Sequence, residues 1–111
     1  MTVFLFSPRD VQEWQPAVDV YRSQHGWILK FELAGVRLED IHVQVSTHAV
    51  TVTGVRRDCL LEEAGCRHYS MEISYCRFER TIELPDDLET AKFRLDYRDG
   101  ILYVRILAEE S

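Results

Sequence analysis

The chain has 111 residues, a length that fits one domain able to bury a modest core without metals or disulfides. Apolar residues make up 46% of it, which is too much for a disordered protein. The net charge of −6 argues against a nucleic-acid binder, which needs a basic face to offset phosphate, and against an anionic membrane surface as partner.

Alternation of apolar and polar side chains is the main pattern along the chain. Because successive side chains of a strand point to opposite faces, this alternation predicts half-buried β-strands. The last run is apolar on both faces apart from Arg105, which predicts a strand buried on both sides. The predicted strands occupy residues 27–33, 41–45, 50–53, 71–75, 78–84, 93–97 and 101–107.

Turn-forming residues separate these runs. Residues 24–26 and 98–100 have the composition of hairpin turns, and Pro85 follows the end of another run. Residues 38–40 and 87–89 could each form one short helical turn, and no segment supports a long amphipathic helix. About seven short strands with short links predict an all-β, immunoglobulin-like two-sheet β-sandwich.

One segment departs from the alternating pattern. Residues 57–68 form a long link between two predicted strands, and loops of this length in compact domains are usually functional. Cys59, Leu60 and Leu61 make part of this link unusually apolar for a solvated loop. A short strand that pairs outside its own sheet would explain that composition.

Few residues of the chain have the spacing of a catalytic or metal site. Cys59, Cys66 and His68 could be metal ligands, but their spacing matches none of the usual zinc patterns and a fourth ligand is not evident. No glycine-rich phosphate loop and no paired nucleophile and base are evident either. We therefore expect no catalytic residue, no metal, no cofactor and no enzymatic activity.

The cysteines and the first residues of the chain indicate the cellular compartment. The apolar stretch 3–6 is too short for a signal sequence or a membrane span. Three cysteines, Cys59, Cys66 and Cys76, are an odd number, which favours reduced thiols. These observations predict a cytoplasmic protein.

Short motifs follow one another in a fixed order along the chain, in residues 16–21, 31–36, 38–43, 50–54, 75–85 and 97–104. In order and spacing this series resembles the α-crystallin domain of bacterial and plant small heat-shock proteins. None of the motifs is specific alone, whereas the ordered set is. The sequence departs from the family pattern at Ala34, where proline is frequent, at Cys76, where glycine is frequent, and at Leu95, where a small residue is frequent.

The resemblance implies a domain at residues 16–107, with an N-terminal arm at 1–15 and a C-terminal stub at 108–111. It also implies an ATP-independent holdase that binds unfolding client proteins, forms a homodimer by strand exchange and has other small heat-shock proteins as further candidate partners. The alternative is a p23/CS-like co-chaperone or scaffold module, which shares the architecture but binds specific folded partners. A link at residues 57–68 that joins two subunits into a dimer would favour the holdase over the p23/CS-like module.

The resemblance also implies two sets of site residues. A groove that receives client segments or a tail motif lies between the strands at 41–45 and 93–97, and residues 58–66 form a strand that crosses to a partner and pairs near its 18–21 strand. The expected groove residues are Ile41, Val43, Val45, Leu95 and Tyr97. The expected dimer-interface residues are Val18, Val20, Tyr21, Cys59, Leu60, Leu61, Glu72 and Arg80.

Assembly beyond the dimer needs an arm or a tail that links dimers. Only four residues follow the last predicted strand, too few to span to another subunit at about 3.3–3.6 Å per residue. Val3 and Leu5 have the spacing of a groove-docking motif, but a frayed terminus is the favoured interpretation. We therefore expect a dimer as the main species.

Overall fold

A computed structural model of the chain describes residues 14–108, and seven β-strands in this range form two antiparallel sheets. One sheet has four strands in the order β1-β2-β7-β6 and the other has three in the order β3-β4-β5. The strands are β1 (Val18–Ser23), β2 (Gly26–Glu32), β3 (Ile41–Val45), β4 (Ala49–Val55), β5 (Arg77–Glu83), β6 (Lys92–Arg98) and β7 (Ile101–Leu107). The predicted all-β two-sheet sandwich is confirmed.

The core lies between the two sheets and is made by alternate residues of the central strands. Leu29 and Phe31 of β2 face Val50 and Val52 of β4, and all four side chains are fully buried. Because each strand contributes every second residue, the opposite faces remain available to solvent. The other buried apolar residues are Leu33, Val36, Phe78, Leu84, Leu88, Leu102, Val104 and Ile106.

Two turns depend on unusual backbone positions. Asp99 and Gly100 have φ angles of 53° and 77°, as a two-residue hairpin turn between β6 and β7 requires. At the β1–β2 turn, a Cβ on Gly26 would lie 1.8 Å from the Ile106 carbonyl oxygen, so only glycine permits this close approach of β2 to β7. Both predicted hairpin turns are confirmed.

A short 3-10 helix, η1 (Leu38–Asp40), leads into β3 at the position where a helical turn was expected. The Arg57 guanidinium, just after β4, donates two hydrogen bonds to the Asp40 carboxylate, at 2.9 and 3.2 Å. This pairing holds the pKa of Asp40 below its usual range. The pair therefore connects the start of β3 to the end of β4.

The structure differs from the predicted strands at three places. β7 is buried on one face only, because Leu102, Val104 and Ile106 enter the core while Ile101, Tyr103 and Arg105 lie on the outer face. Residues 71–75 form no strand in the structure. β1 (Val18–Ser23) is outside the strands predicted from alternation and was expected, at residues 18–21, only from the family resemblance. In the single chain residues 58–66 contain a second 3-10 helix, η2 (Cys59–Glu62), and their pairing with a partner subunit stays a prediction.

Most residues of the predicted arm and stub lie outside the described residues. The docking motif at Val3 and Leu5, and the last three residues of the stub, lie there. Trp14, which the sequence assigned to the arm, packs edge-to-face on Phe78 with 5.1 Å between ring centroids. The Arg56 guanidinium lies 3.6 Å from the centroid of the same indole. The residues just before the domain are therefore attached to its core.

Candidate binding groove and subunit interface

The expected groove lies between two edge strands, β3 of the smaller sheet and β6 of the larger one. Ile41, Val43 and Val45 point to the inner face of β3, because they alternate with the exposed His42 and Gln44. On β6 the inner-face residues are Phe93, Leu95 and Tyr97. Each sheet ends at these strands, so neither Ile41–Val45 nor Lys92–Arg98 is covered by a further strand of residues 14–108.

The middle and one end of this groove are open. Val45 is 41% exposed and Leu95 51% exposed, although both lie on the inner side of their sheets. A depression of about 520 Å³ opens between Val45 and Phe93, and the buried Leu88 forms part of its lining. The groove therefore presents apolar side chains to solvent beside two unpaired strand edges.

Hydrogen bonds fix the rim of this depression. The Leu88 amide donates to the Thr47 carbonyl oxygen at 2.8 Å, and the Thr47 hydroxyl donates to the Glu89 carboxylate at 2.8 Å. These bonds join the β3–β4 turn to the segment that precedes β6. The two walls of the depression are thereby held at a fixed separation.

Tyr97 closes the opposite end of the groove. Its hydroxyl lies 2.6 Å from the Val36 carbonyl oxygen and 2.8 Å from that of Leu33, so it attaches β6 to the segment between β2 and η1. Burial raises the pKa of this phenol, and the hydroxyl therefore remains a hydrogen-bond donor at physiological pH. The Tyr97 hydroxyl is therefore occupied by hydrogen bonds within the domain.

The expected dimer interface lies on the other side of the sandwich. There β1 and β5 are the edge strands of the two sheets, and the Arg80 guanidinium of β5 donates to the Pro16 carbonyl oxygen at 2.7 Å, just before β1. Val18 is half-buried, whereas Val20 and Tyr21 are exposed along the open edge of β1. Within residues 14–108 no ion pair joins Arg80 to the exposed Glu72.

The link between β4 and β5 folds back on itself. The Asp58 carboxylate accepts a hydrogen bond from the Leu60 amide at 3.1 Å and also pairs with the His68 ring at 3.2 Å. The Arg37 guanidinium donates to the Cys59 sulfur at 3.0 Å. These local bonds stabilise η2 and its surroundings in the single chain.

The folded link nevertheless exposes much apolar surface. Leu60 is 61% exposed and Leu61 48% exposed, and Met71 and Ile73 are also exposed. A concavity of about 560 Å³ is lined by link residues alone, including Leu60, Leu61 and Met71. A soluble monomer rarely leaves so many apolar side chains together on its surface, so this region has the character of an interaction surface.

The structure brings the predicted groove residues together but places the predicted interface residues in two separate groups, on β1 with β5 and on the link. Sequence analysis missed Phe93 and Leu88. Phe93 was detectable, because it shares the face of Leu95 and Tyr97. Leu88 lies in a short turn with no periodicity, so no sequence pattern indicated that it borders the groove.

Residues 14–108 contain no cluster of three or more potential metal ligands. Cys59 and Cys66 are exposed free thiols, and Cys76 is half-buried. Over the same described residues, no helix combines the length and the hydropathy that crossing a membrane requires.

A two-sheet β-sandwich with open edge strands and exposed apolar side chains beside them is typical of a domain that binds extended polypeptide segments. The sequence profile of the Hsp20/alpha crystallin family matches residues 19–111, well over half of the chain. The chain therefore belongs to the Hsp20/alpha crystallin family, the family of the small heat-shock proteins, whose members are generally chaperones.

Individual relatives agree with this assignment. Small heat shock protein C2 of Rickettsia felis is 26% identical over 97% of the chain and 70% of its own length. Spore protein SP21 of Stigmatella aurantiaca is 33% identical over 78% of the chain, which spans only 51% of that relative. Heat shock protein 16.0 from Schizosaccharomyces pombe superposes with a TM-score of 0.77 at 25% identity, over 88% of this chain and 90% of that one.

Proposed function

We propose that the protein is an ATP-independent holdase, which binds unfolding proteins and prevents their aggregation. The observation that supports this most is the open groove between β3 and β6, where Val45 and Leu95 are exposed on the inner side of their sheets. Unfolding proteins expose apolar side chains and unpaired strand edges, and the groove offers both kinds of partner.

The physical basis of such binding needs neither nucleotide nor cofactor. Burial of apolar surface contributes about 25 cal/mol per Å² and is non-directional, so one groove can accept many sequences. Binding an unfolded chain removes it from the aggregating pool by mass action. The net charge of −6 keeps the resulting complexes soluble by mutual repulsion.

The proposed working unit is a homodimer formed by strand exchange. Residues 58–66 of one subunit leave the folded form of the link and pair with the open edge of β1 in the other subunit. The exposed Leu60 and Leu61 then become buried against Val20 and Tyr21, which are exposed in the single chain. In this dimer, Glu72 and Arg80 are the proposed charged contacts between subunits.

The proposed setting is the cytoplasm, where the three thiols remain reduced. Unfolding client proteins and other small heat-shock proteins are the proposed partners, and residues 16–107 are the proposed functional domain. A p23/CS-like module was the alternative, and the match to the Hsp20/alpha crystallin family favours the holdase.

A heat-aggregation assay tests the groove. We expect Val45→Asp and Leu95→Asp each to reduce the protection of a model client from heat-induced light scattering, without nucleotide, because a buried carboxylate in the groove opposes apolar contact. Tyr69→Asp is the control, since Tyr69 is fully exposed in the segment between β4 and β5, outside the groove.

Thermal unfolding curves recorded by circular dichroism establish that each variant is folded at the assay temperature. If the two groove variants are folded and protect the client as well as the unaltered protein does, clients bind elsewhere. If the unaltered protein itself leaves light scattering unchanged at molar excess, the holdase proposal is wrong.

A further inference from the structure

The two faces of β6 differ in chemistry. Phe93 and Leu95 point to the inner face, where they line the groove, whereas Lys92 and Arg94 point to the outer face of the four-stranded sheet. Both cations belong to residues that are exposed. An apolar surface and a cationic surface therefore meet along one edge strand.

The cations at this end of the outer face have no acidic partners within residues 14–108. Arg94 stands directly opposite Arg105 of β7, and like charges in this arrangement are destabilising. The nearest acidic residue along β6 is Asp96, which already pairs with Arg98. In a chain with a net charge of −6, this group of Lys92, Arg94 and Arg105 is a local excess of positive charge.

The free edge of β6 dictates how an extended segment could use both surfaces. A strand added beside β6 continues its pleat, so alternate side chains of the added strand point to opposite faces. One set enters the groove beside Phe93 and Leu95, and the other set lies over the outer face beside Lys92 and Arg94. Residues two apart in a strand are about 6.6 Å from each other, which matches the spacing of the two cations.

We propose that the groove prefers extended polypeptide segments in which apolar residues alternate with acidic residues. This inference rests on the proposed holdase function and specifies the segments that the same site selects. The apolar side chains provide most of the binding, and the carboxylates pair with Lys92 and Arg94. A guanidinium offers a planar, two-pronged donor that fits a carboxylate, so Arg94 is the stronger of the two determinants.

Fluorescence anisotropy with labelled nine-residue peptides tests the preference. The probe alternates valine with glutamate, and the comparison peptides replace glutamate by glutamine or by lysine at the same positions. We expect the glutamate peptide to bind about two- to tenfold more tightly than the glutamine peptide, because each exposed ion pair contributes little. The lysine peptide should bind more weakly than both, and added salt should reduce the differences.

Substitutions in the protein test whether Lys92 and Arg94 cause the preference for the glutamate peptide. Arg94→Gln and Lys92→Gln should each reduce the ratio of the affinity for the glutamate peptide to that for the glutamine peptide. Arg77→Gln is the control, because it removes the same charge from an exposed position of β5, on the opposite edge of the other sheet. This control should retain the full preference for glutamate.

The outcomes separate this inference from the holdase proposal. Equal binding of the glutamate and glutamine peptides would overturn the inference and leave the groove intact as a binding site. Failure of all three peptides to bind would count against both the inference and the groove. Equally tight binding of a nine-residue polyglutamate would also overturn it, since the outer face would then be a general polyanion site without a role for the groove.

Discussion

Replacement of Tyr97 by phenylalanine tests how the closed end of the groove is held. The Tyr97 hydroxyl has one proton to donate and lies between the carbonyl oxygens of Val36 and Leu33. The Leu33 oxygen also accepts a hydrogen bond from the Val36 amide at 3.0 Å, so it keeps a partner in the variant. In the Tyr97→Phe variant, the Val36 carbonyl oxygen loses its contact with the hydroxyl, which is the shorter of the two contacts.

The expected cost follows from this arrangement. A neutral hydrogen bond contributes about 0.5–1.5 kcal/mol, and a buried acceptor left without a partner costs about 1–3 kcal/mol. Because Tyr97 is only half-buried, water can reach part of the vacated space, and the lower end of these ranges applies. We expect Tyr97→Phe to reduce the free energy of unfolding by about 1 kcal/mol, which lowers Tm by about 4–8 °C for a domain of this size.

Differential scanning calorimetry at neutral pH measures the shift. Tyr103→Phe is the matched control, because Tyr103 lies on the outer face of β7 and its hydroxyl has no hydrogen-bond partner among residues 14–108. The control should change Tm by much less than Tyr97→Phe. Equal shifts for the two variants would refute the claim that the Tyr97 hydroxyl attaches β6 to the segment before η1.

Two further predictions concern the link and the entry to β3. Leu60→Asp should convert the proposed dimer to a monomer in light-scattering mass measurements, whereas Tyr69→Asp, outside residues 58–66, should not; a dimeric Leu60→Asp protein would contradict the interface. Asp40→Asn should lower Tm at pH 7 but progressively less as the pH falls through about 4, because the lowered pKa of Asp40 gives stability that is present above the unfolded-state pKa and is lost on protonation. A Tm difference that stays constant from pH 7 to pH 3 would show that the Arg57 pair does not stabilise the native state.

Six of the seven strands in residues 14–108 were predictable from sequence, because each combines local alternation with a nearby turn, whereas β1 was expected only from the family resemblance. Residues 41–45 were predicted with the bounds of β3, since apolar and polar side chains alternate there without interruption. The hairpin at Asp99 and Gly100 was equally evident, because few residues adopt positive φ angles. For such elements the decisive interactions are close in sequence.

The long link was not predictable in the same way. Residues 71–75 alternate as well as β3 does, yet they pair with no strand of residues 14–108, so alternation alone does not specify a strand. Residues 58–66 are apolar without a period, and their conformation in the single chain depends on the Asp58 carboxylate and the distant His68. The group of cations beside β6 was not predictable either, because the placement of Arg94 directly opposite Arg105 depends on strand register.

The order of strands in the two sheets puts β1 with β5 at one flank of the sandwich and β3 with β6 at the other. A pair of subunits joined through the first flank therefore has its two grooves directed away from the junction. If the grooves bind clients as proposed, such a pair is bivalent, and a client with two exposed segments can engage both grooves. The second attachment is then intramolecular, and weak individual affinities multiply into a long-lived complex when the client chain between the segments can span the distance.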